Sequence, residues 1–172
     1  EGLDLSFHLG PLNDSDLKVR MIADCPRALV AAPAYVARHG NPPDGDALIT
    51  DKHACLNLRF PGASEFQWTL KTADGPRRFE IAGPVETDDG DVLTDWALAG
   101  LGIVLKPEFE VAHYLRDGQL MRVATETPPY PTQLACLSPS RRHRDPKVRV
   151  FTDFMVDACK HALRAADAAG NS

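Results

Sequence analysis

The stretch TDDGDVLTDWALAGLGIVLKPEFEVAHYLRDG, residues 87–118, decides the fold class. Val92, Leu93, Trp96, Ala97 and Gly100 recur at the spacing that lines one face of a helix. Asp88 or Asp89 stands where a short acceptor side chain caps the free N–H groups of a first turn. Gly100-Leu101-Gly102 ends that helix, and Ile103-Val104-Leu105 reads as a short buried strand. Pro107, which has no N–H to lose, then opens a second helix, Glu108 to Arg116, that stops at Gly118. With a strand expected over Gly83 to Glu86 ahead of it, the stretch is a strand–helix–strand crossover, the unit from which α/β sheets are built.

Working outward, Leu3 to Leu9 alternates apolar and polar residues before Gly10-Pro11, so it predicts a strand ending in a turn. Leu17 to Ile22 and Arg27 to Ala32 are further strands, and Pro33 to His39 is a short helix stopped by Gly40. Asp46-Ala47-Leu48 reads as a single turn, and Ala54 to Leu58 as another strand. Phe66 to Leu70 and Arg77 to Ile81 flank an Asp74-Gly75 pair and predict a hairpin turned there. Leu120 to Ala124 and Gln133 to Leu137 are the last strands. The clearest helix follows, with Val148, Phe151, Phe154, Met155, Ala158, Cys159, Ala162 and Leu163 as its inward stripe and a fraying tail from Ala165 to Ser172. A hairpin beside crossovers makes the sheet mixed.

Composition narrows the function. With 172 residues, 44% of them hydrophobic, the chain builds one compact domain or two small lobes. A formal net charge of −5 excludes a nucleic-acid surface spread over the chain, because phosphate binding needs clustered Lys and Arg. The local run Arg141-Arg142-His143-Arg144 lies in a loop and reads as a solvated segment. No apolar run is long enough to span a bilayer and no export signal opens the chain, so membrane association is not expected and the cytoplasm is. A strand beginning at Leu3 suggests a chain that starts inside a longer protein. Cys25, Cys55, Cys136 and Cys159 form no CxxC pair and have no His at zinc spacing, which implies free thiols and no metal.

Catalytic signatures are absent from the pattern. Ser64 lacks the second glycine of a nucleophile elbow, the six His residues have no ligand spacing, and Gly100-Leu101-Gly102 ends a helix where a dinucleotide fingerprint would begin one. No enzyme activity and no cofactor are therefore expected. The loops at strand ends remain, since ligands of open α/β sheets collect outside the carboxyl ends of strands, near helix N-termini. Gly10, Pro11, Asn57, Arg59, Phe60, Thr87 and Asp88 all sit at such ends and form the candidate ligand-binding set. The same loops also read as simple connections, and His8 as an exposed strand histidine or a ligand contact.

Read in order, Asp4 to Gly10, Ala31 to Gly40, Ala97 to Ile103 with Pro107, Asp117 to Leu120, and Lys147 to Phe154 resemble the effector-binding domain of LysR-type transcriptional regulators, over nearly the whole chain. The resemblance implies an α/β fold of the type 2 periplasmic-binding-protein kind, two lobes with mixed sheets and a small-molecule effector in the cleft between them. It implies lobe boundaries too: residues 1–26 as a lobe I strand and crossover, 27–111 as lobe II, and 112–172 as the return to lobe I. Elements that precede the Asp4 segment in that family, including much of lobe I and the helix-turn-helix, have no match here. DNA would be bound only through that absent domain, and the full-length protein would be a homodimer or tetramer. His8 stands where Arg is usual and Asp88 where Asn is common, so the effector's charge does not carry over. A transport system's solute-binding protein is the other reading of the same fold.

Overall fold

The computed structural model describes residues 5–10, 17–59, 67–81, 83–139 and 145–170. In chain order the elements are β1 Ser6–Leu9, β2 Leu17–Cys25, β3 Arg27–Ala31, α1 Pro33–His39, α2 Gly45–Thr50, β4 Cys55–Leu58, β5 Gln67–Thr72 and β6 Gly75–Glu80. There follow β7 Glu86–Thr87, α3 Gly90–Leu98, β8 Ile103–Pro107, α4 Glu108–Arg116, β9 Met121–Arg122, β10 Thr132–Pro139 and α5 Pro146–Gly170. They divide into a middle unit, Pro26–Tyr130, and an end unit made of Glu1–Cys25 with Pro131–Ser172.

The middle unit is built on a five-stranded sheet ordered β7-β4-β8-β3-β9. β4 runs parallel to β7 and β8, whereas β3 is antiparallel to β8 and β9. Alternation along β3 sends Leu29 and Ala31 to one face and Ala28 and Val30 to the other, which is why its sequence is apolar from Ala28 onward. On the first face they meet Tyr35, Leu48 and the hairpin residues Trp68, Leu70 and Phe79; on the second they meet Leu93 and Ala97 of α3, Val111 of α4 and Leu120. Val111, Leu120 and Val123 complete these two cores, and the middle unit extends from Pro26 to Tyr130.

The end unit is a three-stranded antiparallel sheet, β1-β10-β2, with α5 packed on it through Ile22, Cys136 and Val156. An Arg20–Asp153 ion pair ties β2 to the helix.

Several local expectations are corrected. The turn at Asp46 is a six-residue helix, because Asp44 caps it by accepting from Ala47 N–H at 2.8 Å. The hairpin turns on Ala73-Asp74, with Gly75 already paired to Thr72 at φ +110°, a conformation that only glycine adopts without strain. The strands at Gly83 and Leu120 shrink to Glu86–Thr87 and Met121–Arg122. α5 does not fray at Ala165 but runs on to Gly170, in keeping with the helix propensity of its alanines. Its packed face is also displaced: Thr152 and Val156 are buried, while Phe151 and Phe154 are 53% and 67% exposed.

Candidate effector site

The candidate residues of the middle unit converge at the carboxyl ends of β4 and β7. Parallel pairing sets Asn57 opposite Glu86 and Leu58 opposite Thr87. Arg59 N–H then donates to the Thr87 carbonyl at 2.7 Å, closing the strand end. Side chains alternate along a strand, so Asn57 and Arg59 share a face. The Arg59 guanidinium donates to the Glu86 carboxylate at 2.8 Å, and both groups are solvent-accessible. Asn57, by contrast, is buried.

The helix start beside this edge is built from the same loop. Thr87 Oγ accepts from Asp89 N–H at 3.1 Å, and the Asp89 carboxylate accepts from Asp91 N–H at 2.8 Å and Val92 N–H at 3.3 Å. Of the two candidate caps, Asp89 is therefore the one used, and it offsets two otherwise orphaned donors of α3. Asp88 stays exposed beside it.

Lys106 is the residue that sequence reasoning missed. It lies inside β8, which reads as purely apolar, yet it is only 3% exposed. Its ammonium donates to the Gly90 carbonyl at 3.0 Å and pairs with Glu110, so it joins the first turn of α3 to the first turn of α4. The available signal was a single lysine between a buried apolar run and a helix-opening proline.

Asn57, Arg59, Thr87 and Asp88 are thus brought together. Gly10 belongs to the end unit, where it is buried at φ +147° and its N–H donates to the Gln133 carbonyl at 3.0 Å. Pro11 and Phe60 lie outside the described residues. Half-buried His8 has its ring next to Gly10, where an added Cβ would come within 3.3 Å of Nε2.

What the edge offers is hydrogen bonding and charge. The other polar cluster of the middle unit, Tyr35 and His53, is buried and structural: the Tyr35 hydroxyl accepts from Ala54 N–H at 2.9 Å and lies 3.1 Å from His53 Nδ1. Burial lowers the His53 pKa and raises that of Tyr35. Cys55, Cys136 and Cys159 are free thiols, and burial pushes the Cys55 thiol up to about 12, which keeps it neutral and unreactive. Among the described residues no group of three or more His, Cys, Asp or Glu could hold a metal ion, and no helix is long and apolar enough to cross a membrane.

Comparison with known proteins gives this geometry its context. The chain is 29% identical over 157 residues to the HTH-type transcriptional regulator DmlR of Escherichia coli K12, covering 90% of this chain and 50% of that protein. It is likewise 29% identical to the regulator CrgA of Neisseria meningitidis serogroup B over 90% of this chain and 51% of CrgA. The chain therefore spans about half the length of these curated relatives. Among solved structures it is similar to the CrgA regulatory domain with a TM-score of 0.77, over 91% of this chain and 75% of that domain. The regulatory domain of AphB from Vibrio vulnificus follows at 30% identity and a TM-score of 0.72, over 90% of this chain and 74% of that one. The two α/β units share the periplasmic-binding-protein-like fold of these domains, as the family resemblance implied. These relatives are transcriptional regulators and not enzymes. Since the LysR substrate binding domain model matches residues 1–160 as well, the chain belongs to the LysR substrate binding domain family.

Proposed function

We propose that the chain is the effector-sensing domain of a LysR-type regulator, binding a small molecule at the β4–β7 edge and coupling it to operator binding by a helix-turn-helix elsewhere in the protein. The observation that carries this reading is the convergence of Asn57, Arg59, Thr87 and Asp88 where parallel strands end at the capped start of α3. The regulator acts in the cytoplasm as a homo-oligomer, and this domain itself reads no DNA.

The test begins with a thermal-shift screen of a metabolite library, each hit being retested on Arg59→Ala and on operator binding by the full-length protein. Arg59 lies in an exposed ion pair, so its removal costs less than about 1 kcal/mol of stability. Loss of a charge-assisted hydrogen bond to an effector would weaken binding by about 1.5–3 kcal/mol. Arg142→Ala, in the basic run 141–144 outside the described residues, serves as the control and leaves affinity unchanged. Equal losses from both variants, or hits that never alter operator binding, would refute the proposal.

A further inference from the structure

We infer that the effector presents an uncharged oxygen acceptor, a carbonyl or hydroxyl and not a carboxylate, to the side-chain amide of Asn57, an inference that rests on the effector-site reading above. Asn57 is only 5% exposed, and its Nδ2 has no hydrogen-bond partner among the described residues. An unpaired buried donor destabilises a fold, and an apolar side chain of similar size would avoid that cost. The amide sits on the strand end where the candidate residues converge, on the same face as Arg59. A ligand oxygen reaching Nδ2 would satisfy the donor.

Charge at this edge decides which kind of oxygen fits. Glu86 already neutralises Arg59 through their 2.8 Å ion pair. Asp88 follows in the adjoining loop, and Asp89 and Asp91 stand at the start of α3. An incoming carboxylate would meet the Glu86 carboxylate, which stands opposite Asn57 and already holds Arg59, whereas a neutral carbonyl or hydroxyl would meet no such repulsion. The main chain of Gly83, an exposed residue, lies against the amide: a Cβ built there would be 3.0 Å from Nδ2 and 1.9 Å from the Cys55 carbonyl oxygen.

The experiment uses ¹⁵N-labelled chain and two probes with one carbon skeleton, succinamide and succinate, together with Asn57→Leu. Succinamide is expected to shift the Asn57 side-chain amide together with the Thr87 and Asp88 backbone amides. Succinate at the same concentration should bind at least tenfold more weakly. Asn57→Leu should melt no lower than the parent and lose the succinamide response. Three results would overturn the inference while leaving the site in place: succinate binding as well as succinamide at these residues, Asn57 staying still while Thr87 and Asp88 move, or Asn57→Leu melting lower. If neither probe moves Thr87 and Asp88, both the inference and the site reading fall.

Discussion

The middle and end units draw on the same kind of sequence, short alternating strands with amphipathic helices, yet they close their cores to different degrees. In the middle unit both faces of the sheet are covered, and Leu29, Val30, Ile103 and Val104 are at most 1% exposed. In the end unit α5 covers the face that carries Arg20 and Cys136, as the Arg20–Asp153 pair requires. Alternation therefore turns Val19 and Met21 to the other face, where they are 45% and 43% exposed. α5 itself presents Val150, Phe151 and Phe154 outside its packed face, at 70%, 53% and 67% exposure. Alternation thus specifies which residues share a face, but a second layer must be present before that face is buried.

Core truncation is the strongest way to break this contrast. Leu29→Ala should cost about 2–5 kcal/mol, because its neighbours are packed on every side and cannot collapse into the void. Leu134→Ala, in the half-buried cluster of the end unit, should cost less than half as much. Site-resolved hydrogen exchange, read separately on β3 and β10, measures both. Equal losses would mean that the two cores are equally closed.

Acid should act on the middle unit next. Burial is the main cause lowering the His53 pKa; nearby His39 lowers it further, and Asp51 opposes both. Folding therefore favours the neutral ring, so its contribution is intact above the unfolded value of about 6.5 and is lost as pH falls below it. The expected outcome is lower protection, measured against the intrinsic exchange rate at each pH, around Ala54 and Tyr35 as pH falls from 7 to 5, with β10 changing less. A pH-independent middle unit would rule out His53 as the responsible group.

The smallest stability effect is expected on the open side of α5. Phe154→Ser should change unfolding free energy by less than about 0.5 kcal/mol, the usual range for a surface site. It should also reduce binding of an apolar dye and lower self-association in sedimentation runs. A loss of several kcal/mol would show Phe154 to be a core residue after all.

Much of the fold was legible because its signals are local. Pro33 and Pro107 at helix starts and Gly40 and Gly118 at helix ends each act within a few residues and were read correctly. The α5 stripe was misread for a physical reason. Val148, Phe151, Phe154 and Met155 satisfy helical spacing, but so do Val148, Thr152, Val156 and Cys159, rotated round the same helix. Spacing does not choose between two adjoining apolar arcs. Lys106 escaped notice because the carbonyl it reaches, that of Gly90, lies sixteen residues earlier at the start of another helix.

The sequence by itself determined the α/β class, most element positions, and the strand-end placement of Asn57, Arg59, Thr87 and Asp88, since periodicity and turn chemistry are properties of short segments. Only the tertiary structure decided that Asn57 lies opposite Glu86, that Arg59 is held by that carboxylate, and that the Asn57 amide is buried without a partner. Strand pairing joins segments nearly thirty residues apart, and its register depends on which side chains the two faces can bury, which no local pattern records.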